Sequence, residues 1–78
     1  MPKSAFTSRS KRLREWLTAA REKAGLTQTV LAKRLRRPQS FVSKYESGER
    51  RLDVIEFLDV TRALGADPQI IIRELDRR

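Results

Sequence analysis

Apolar residues recur at spacings of three and four along most of this chain. Leu13, Trp16, Leu17, Ala20 and Ala24 make one such series, which lines one side of a helix. Ser8 or Ser10 suits its N-cap, and Gly25 suits the residue just past its end. Thr27 can cap a second helix from Gln28 to about Leu35, with Leu31, Ala32 and Leu35 inward. Arg36-Arg37 makes the next turn. Pro38 fits the first position of a third helix, where its missing N–H costs nothing, and that helix stops near Gly48. Asp53 and Glu56 have the spacing of a capping box. They open a fourth helix, Val54 to Leu64, with Val54, Phe57, Leu58, Thr61 and Leu64 in phase and Gly65 at its end. Asp67-Pro68 begins a fifth helix that carries Ile70, Ile71, Ile72 and Leu75. No strand-like alternation and no internal repeat interrupts the series. The predicted class is all-α, five short helices in one domain over residues 10–78. Residues 1–9 lack periodicity and read as a flexible N-terminal arm.

With 78 residues there is room for one domain, which buries only about 60% of its unfolded surface. Cys and His are both absent, so disulfides, thiolate metal sites and histidine chemistry are excluded. Neither a metal nor a cofactor is expected, and neither is an enzyme. Charge is distributed unevenly. Residues 1–51 carry 14 basic and 4 acidic side chains, whereas residues 52–78 carry 4 and 6. A basic part joined to a near-neutral part implies one surface that faces a polyanion. No apolar run approaches the roughly 20 residues of a membrane span, and Met1 to Phe6 is not expected to act as a signal peptide, since no apolar stretch follows it. The expected location is the cytoplasm, with no membrane partner.

The third helix is unusual on its outward side. Wound at helical pitch, residues 38–48 put Pro38, Val42, Tyr45 and Glu46 on one side. Ser40, Ser43, Lys44 and Ser47 take the other, with Gln39 near its edge. Short hydroxyls let a helix lie deep in a groove, and amide, hydroxyl and ammonium groups bond base edges and phosphates. An ordinary solvated helix would show outward Glu paired with Lys. Here the only acid, Glu46, points inward.

Gly25-Leu-Thr-Gln-Thr-Val-Leu-Ala-Lys-Arg-Leu and Pro38-Gln-Ser-Phe-Val-Ser-Lys-Tyr-Glu-Ser-Gly48 resemble the helix-turn-helix of phage-repressor-type (Xre-like) transcription regulators. The likeness runs on through Arg50-Arg51-Leu-Asp and Ala63-Leu-Gly, about residues 11–67. The resemblance implies that the third helix enters the major groove of double-stranded DNA while the second lies across the backbone. Carried onto this chain, it implies base contacts from Gln39, Ser40, Ser43 and Lys44. Phosphate contacts would come from Thr27, Gln28, Arg37, Arg50 and Arg51, with Gln28 also buttressing Gln39. Arg21 and Glu46 match the family's paired charges between the first and third helices. At the turn this chain departs from the family, with Arg36 where Gly is frequent. A positive φ there would strain an arginine. Phe41 replaces a commonly small residue; it either fills the core rim or touches a thymine methyl.

Three consecutive isoleucines cannot all face one core, so Ile70, Ile71 and Leu75 read as a homodimer contact. Two-fold symmetry would then space two recognition helices about 34 Å apart on a near-palindromic operator. Trp16 reads as core and Tyr45 as half-buried. Lys3, Arg9, Lys11 and Arg12 could run along DNA. The expected function is therefore sequence-specific binding of duplex DNA by a small repressor. The alternative is an antitoxin with a toxin partner held by residues 68–78.

Overall fold

A computed structural model describes residues 7–77, and these fold as five helices without a strand. They are α1 (Ser8–Lys23), α2 (Gln28–Leu35), α3 (Gln39–Ser47), α4 (Val54–Leu64) and α5 (Pro68–Asp76). Four of the five start where a side-chain oxygen takes up an orphan backbone N–H. Thr7 accepts from Ser10, Thr27 from Val30, and Asp67 from Gln69. At α4 the box is complete: Asp53 accepts the Glu56 N–H (2.7 Å) and Glu56 accepts the Asp53 N–H (3.0 Å). α3 is the exception. Pro38 is its N-cap rather than its first helical residue, and no side chain caps it.

Most of the interior is supplied by one buried arc per helix. Leu17 of α1, Leu31 of α2, Val42 of α3, Val60 of α4 and Ile71 of α5 are each fully buried. Each such side chain contributes about 1.5–3 kcal/mol by leaving water. α3 packs against α2 and α1, which holds its opposite side at the surface. Leu13, Trp16 and Ala20 pack against the core rim from α1. No helix among the described residues is long and apolar enough to cross a membrane.

Several expectations need correction. Ile71, expected beside Ile70 and Leu75 at a dimer contact, is wholly buried in this chain's own core, so no partner can reach it. Helical rotation sends Ile70 and Ile72 outward to either side of it. Tyr45 is 1% exposed rather than half-buried, because Phe41 covers it edge-on with ring centroids 5.6 Å apart. Val54 and Leu58, expected inward, are exposed, and Val60 takes the inward place. Ala24 is the exposed C-cap of α1 instead of part of its buried stripe. Ser8 and Arg9, assigned to the arm, form the first turn of α1. The rest of the arm, Lys3 included, lies outside the described residues apart from the N-cap Thr7.

Candidate nucleic-acid interface

The turn from α2 to α3 sets the site. Arg36 adopts the left-handed conformation (φ 58°, ψ 42°) as the C-cap of α2. Its N–H reaches Lys33 O, and the Arg37 N–H reaches Ala32 O, so the exposed carbonyls of α2 are satisfied as α3 begins. This is the backbone position where a glycine would be unstrained, and an arginine occupies it.

Four residues from three helices then form a continuous chain of hydrogen bonds. Arg21 Nε donates to Glu46 Oε2 at 2.7 Å, and its terminal nitrogen donates to Glu46 Oε1 at 3.1 Å. Another terminal nitrogen donates to Leu26 O at 2.8 Å, tying α1 to the loop before α2. Gln28 Nε2 donates to Glu46 Oε1 at 2.9 Å. Gln39 Nε2 donates to Gln28 Oε1 at 2.7 Å. The two charged side chains retain only 12% and 7% of their surface, which strengthens the pair. Hydrogen bonding to Glu46 raises the Arg21 pKa, with burial opposing. Burial pushes the Tyr45 phenol up, so Tyr45 stays neutral beneath the pair.

Gln39 is thus anchored at the first turn of α3, at the surface. Ser40 and Lys44 are exposed on the same helix, and Ser43 is half-buried between them. Ser47 turns its hydroxyl back to Lys44 O. Gln39 and Ser40 stand beside the uncapped N-terminus of α3, whose orphan N–H groups and positive dipole end attract anions.

A second cluster flanks α3. The guanidinium carbons of Arg37 and Arg50 lie 4.5 and 4.9 Å from the centroid of the Phe41 ring. Both arginines reach Glu56, Arg50 through two hydrogen bonds of 2.9 and 2.7 Å and Arg37 at 3.3 Å. Arg50's hydrogen bonds, then the Asp53 N–H and the charge of Arg37, hold the Glu56 carboxyl down at about 2. The arginines keep 42% and 38% of their side-chain surface, so each still presents donors to solvent. Phe41 is buried under them, which resolves its place as the core rim.

A family model described as a helix-turn-helix domain matches residues 12–70. The chain belongs to the helix-turn-helix domain family. Among solved structures it is similar to an XRE-family like protein from Pseudomonas syringae pv. tomato str. DC3000 at 54% identity, with a TM-score of 0.84. That match covers 88% of this chain and 84% of the other. No curated protein matches. As an Xre-like helix-turn-helix protein, the chain is a DNA-binding regulator, with α2 and α3 as the motif.

In this helix-turn-helix protein Gln28 and Gln39 are hydrogen-bonded to each other, and Ser40, Ser43 and Lys44 follow Gln39 along α3. Thr27 Oγ1 accepts the Val30 N–H as the cap of α2, which leaves its O–H to donate outward. Arg51 is exposed on the α3–α4 connection, with its carbonyl accepting from Arg50. Sequence reasoning read Glu56 only as half of a capping box and missed its hold on Arg37 and Arg50. No local signal marks those partners, which lie 19 and 6 residues away.

Proposed function

We propose that this regulator is a small transcriptional repressor that binds a near-palindromic duplex site as a homodimer. The supporting observation is the surface of α3, where Gln39, Ser40, Ser43 and Lys44 run in one row from an uncapped helix N-terminus. Such a row fits the major groove end-on, with Gln39 and Ser40 at base edges and Ser43 and Lys44 further along. Phosphates on one side meet Thr27, Gln28 and the first N–H groups of α2. On the other they meet Arg37, Arg50 and Arg51. Dimerisation uses the apolar groove between α4 and α5, where Val54 is 71% exposed, Ile72 53% and Leu58 43%. Leu75 lies at its base and replaces Ile71 in this role; Ile70 opens on the far side, beside Trp16 and Ala20.

Selection of bound fragments from random duplex DNA tests the reading. Recovered sites should share a motif with two inverted halves about 34 Å apart. Gln39→Ala should relax preference at one position per half-site, at a cost of about 1–3 kcal/mol. Lys44→Ala should weaken all sequences alike if it meets phosphate, and flatten the salt dependence by about one unit of slope. Light scattering should return twice the 9.1 kDa of one chain, and Ile72→Asp should halve it. Equal, weak binding to every duplex would defeat the base-reading role, and a strict monomer on and off DNA would defeat the dimer.

A further inference from the structure

We propose that Glu46, which sits too deep to touch DNA, decides which base Gln39 reads; this rests on the base-reading role of α3 proposed above. The argument is one of donors and acceptors. A carboxylate only accepts, so the Gln28 amide facing Glu46 must present its nitrogen there, as the 2.9 Å bond shows. An amide has its oxygen opposite its nitrogen. Gln28 therefore turns Oε1 toward α3, and Gln39 must present Nε2 to it, as the 2.7 Å bond shows. The inner end of the chain is itself fixed, because Arg21 cannot accept and holds both oxygens of Glu46. Polarity thus runs one way, from a buried ion pair to the surface of α3.

At the outer end, Gln39 is left with one N–H and its carbonyl oxygen for DNA. That pair complements adenine, whose major-groove edge offers the N7 acceptor beside the N6 donor. It opposes guanine, whose O6 would meet the Gln39 oxygen, acceptor against acceptor. Gln28 keeps a second N–H for a neighbouring phosphate. Reversing the chain would turn the Gln39 oxygen inward and leave both N–H groups outward. That arrangement suits the paired N7 and O6 acceptors of guanine.

Glu46→Gln is the reversing substitution. Arg21 donates to both oxygens, so the new amide places its oxygen at the shorter of those two bonds, Nε to Oε2 at 2.7 Å, and gives up the longer one at 3.1 Å. Its nitrogen then faces Gln28, which must flip, and Gln39 flips in turn. Arg21→Met/Glu46→Met is the second variant; it removes the polarity source without leaving a lone buried charge. Both are compared with the wild type and Gln39→Ala by selection from random duplexes. Titration then follows on duplexes that differ only at the Gln39-dependent position, with helix content checked by circular dichroism.

The wild type should favour adenine over guanine there by about 10- to 100-fold. Glu46→Gln should move the preference to guanine, and the double variant should accept both within about threefold. A purely structural Glu46 would lower affinity on every sequence and leave the adenine-to-guanine ratio untouched, and that result overturns the proposal. If Glu46→Gln does not fold, the ratio in the folded double variant decides alone: a retained adenine preference overturns it. A wild type with no preference at any position removes the base-reading role itself, and this proposal with it. A preference that survives Gln39→Ala does the same.

Discussion

Breaking the Arg21–Glu46 pair from one side should destabilise the fold far more than replacing both partners. Glu46→Met strips Arg21 of two charge-assisted hydrogen bonds and Gln28 of one, leaving the guanidinium with Leu26 O alone. A fully buried pair broken in this way costs about 3–5 kcal/mol. Both side chains here keep a little solvent access, so we expect about 2–4 kcal/mol. A domain of this size has about 4–12 kcal/mol in total, so the single variant should lose a large share of its stability. At about 4–8 °C per kcal/mol, Tm should fall by at least about 8 °C. Arg21→Met should cost a similar amount by leaving the Glu46 carboxylate short of donors. The double variant buries two thioethers of similar length against Tyr45 and should regain more than half of either loss. Urea unfolding followed by circular dichroism, completed as a double-mutant cycle, gives the coupling. A double loss equal to the sum of the singles within about 0.5 kcal/mol would refute the reasoning.

Arg36→Gly should stabilise the protein. It removes the left-handed strain of about 1–2 kcal/mol but adds freedom to the unfolded chain, for a net gain of about 0.5–1 kcal/mol by denaturant titration. Gly48→Ala should cost about 1–3 kcal/mol, since φ is +90° and a Cβ would sit 2.9 Å from Arg14 Cζ. Adding Arg14→Ala should restore only the contact part of that loss, because the backbone strain remains. Glu56 gives the pH dependence: its carboxyl titrates at about 2 in the fold against an ordinary 4.5. A depressed folded value means this stabilisation is complete above pH 4.5 and fades as pH falls toward 2. Glu56→Gln should therefore flatten the acid side of the stability curve in that window, while an unchanged slope there would contradict the assignment.

Much of this protein can be read from residues within four places of each other. The spacing of Leu13, Trp16, Leu17 and Ala20, the caps at Thr27 and Asp53, and the stops at Gly25, Gly48 and Gly65 all act through one helical turn. They define five helices wherever those helices later pack. The outward row of α3 belongs here too, since Val42 and Tyr45 mark the inward side by themselves.

Tertiary structure decided what depends on which neighbour lies opposite. In α4, apolar residues occur on both sides, so periodicity could not tell Val60, which faces the core, from Val54 and Leu58, which do not. In α5, three isoleucines in sequence cover most of the helix circumference, and it is tertiary packing, with α1 against α5, that selects Ile71 as the buried one. Glu56 gathers Arg37 and Arg50 around Phe41, and Glu46 reaches Gln28 and Arg21, across separations of 6 to 25 residues. Helix propensity and capping are energies of neighbouring residues and are therefore written locally. Burial and hydrogen-bond partnership are energies of surfaces that meet only when the chain has closed on itself.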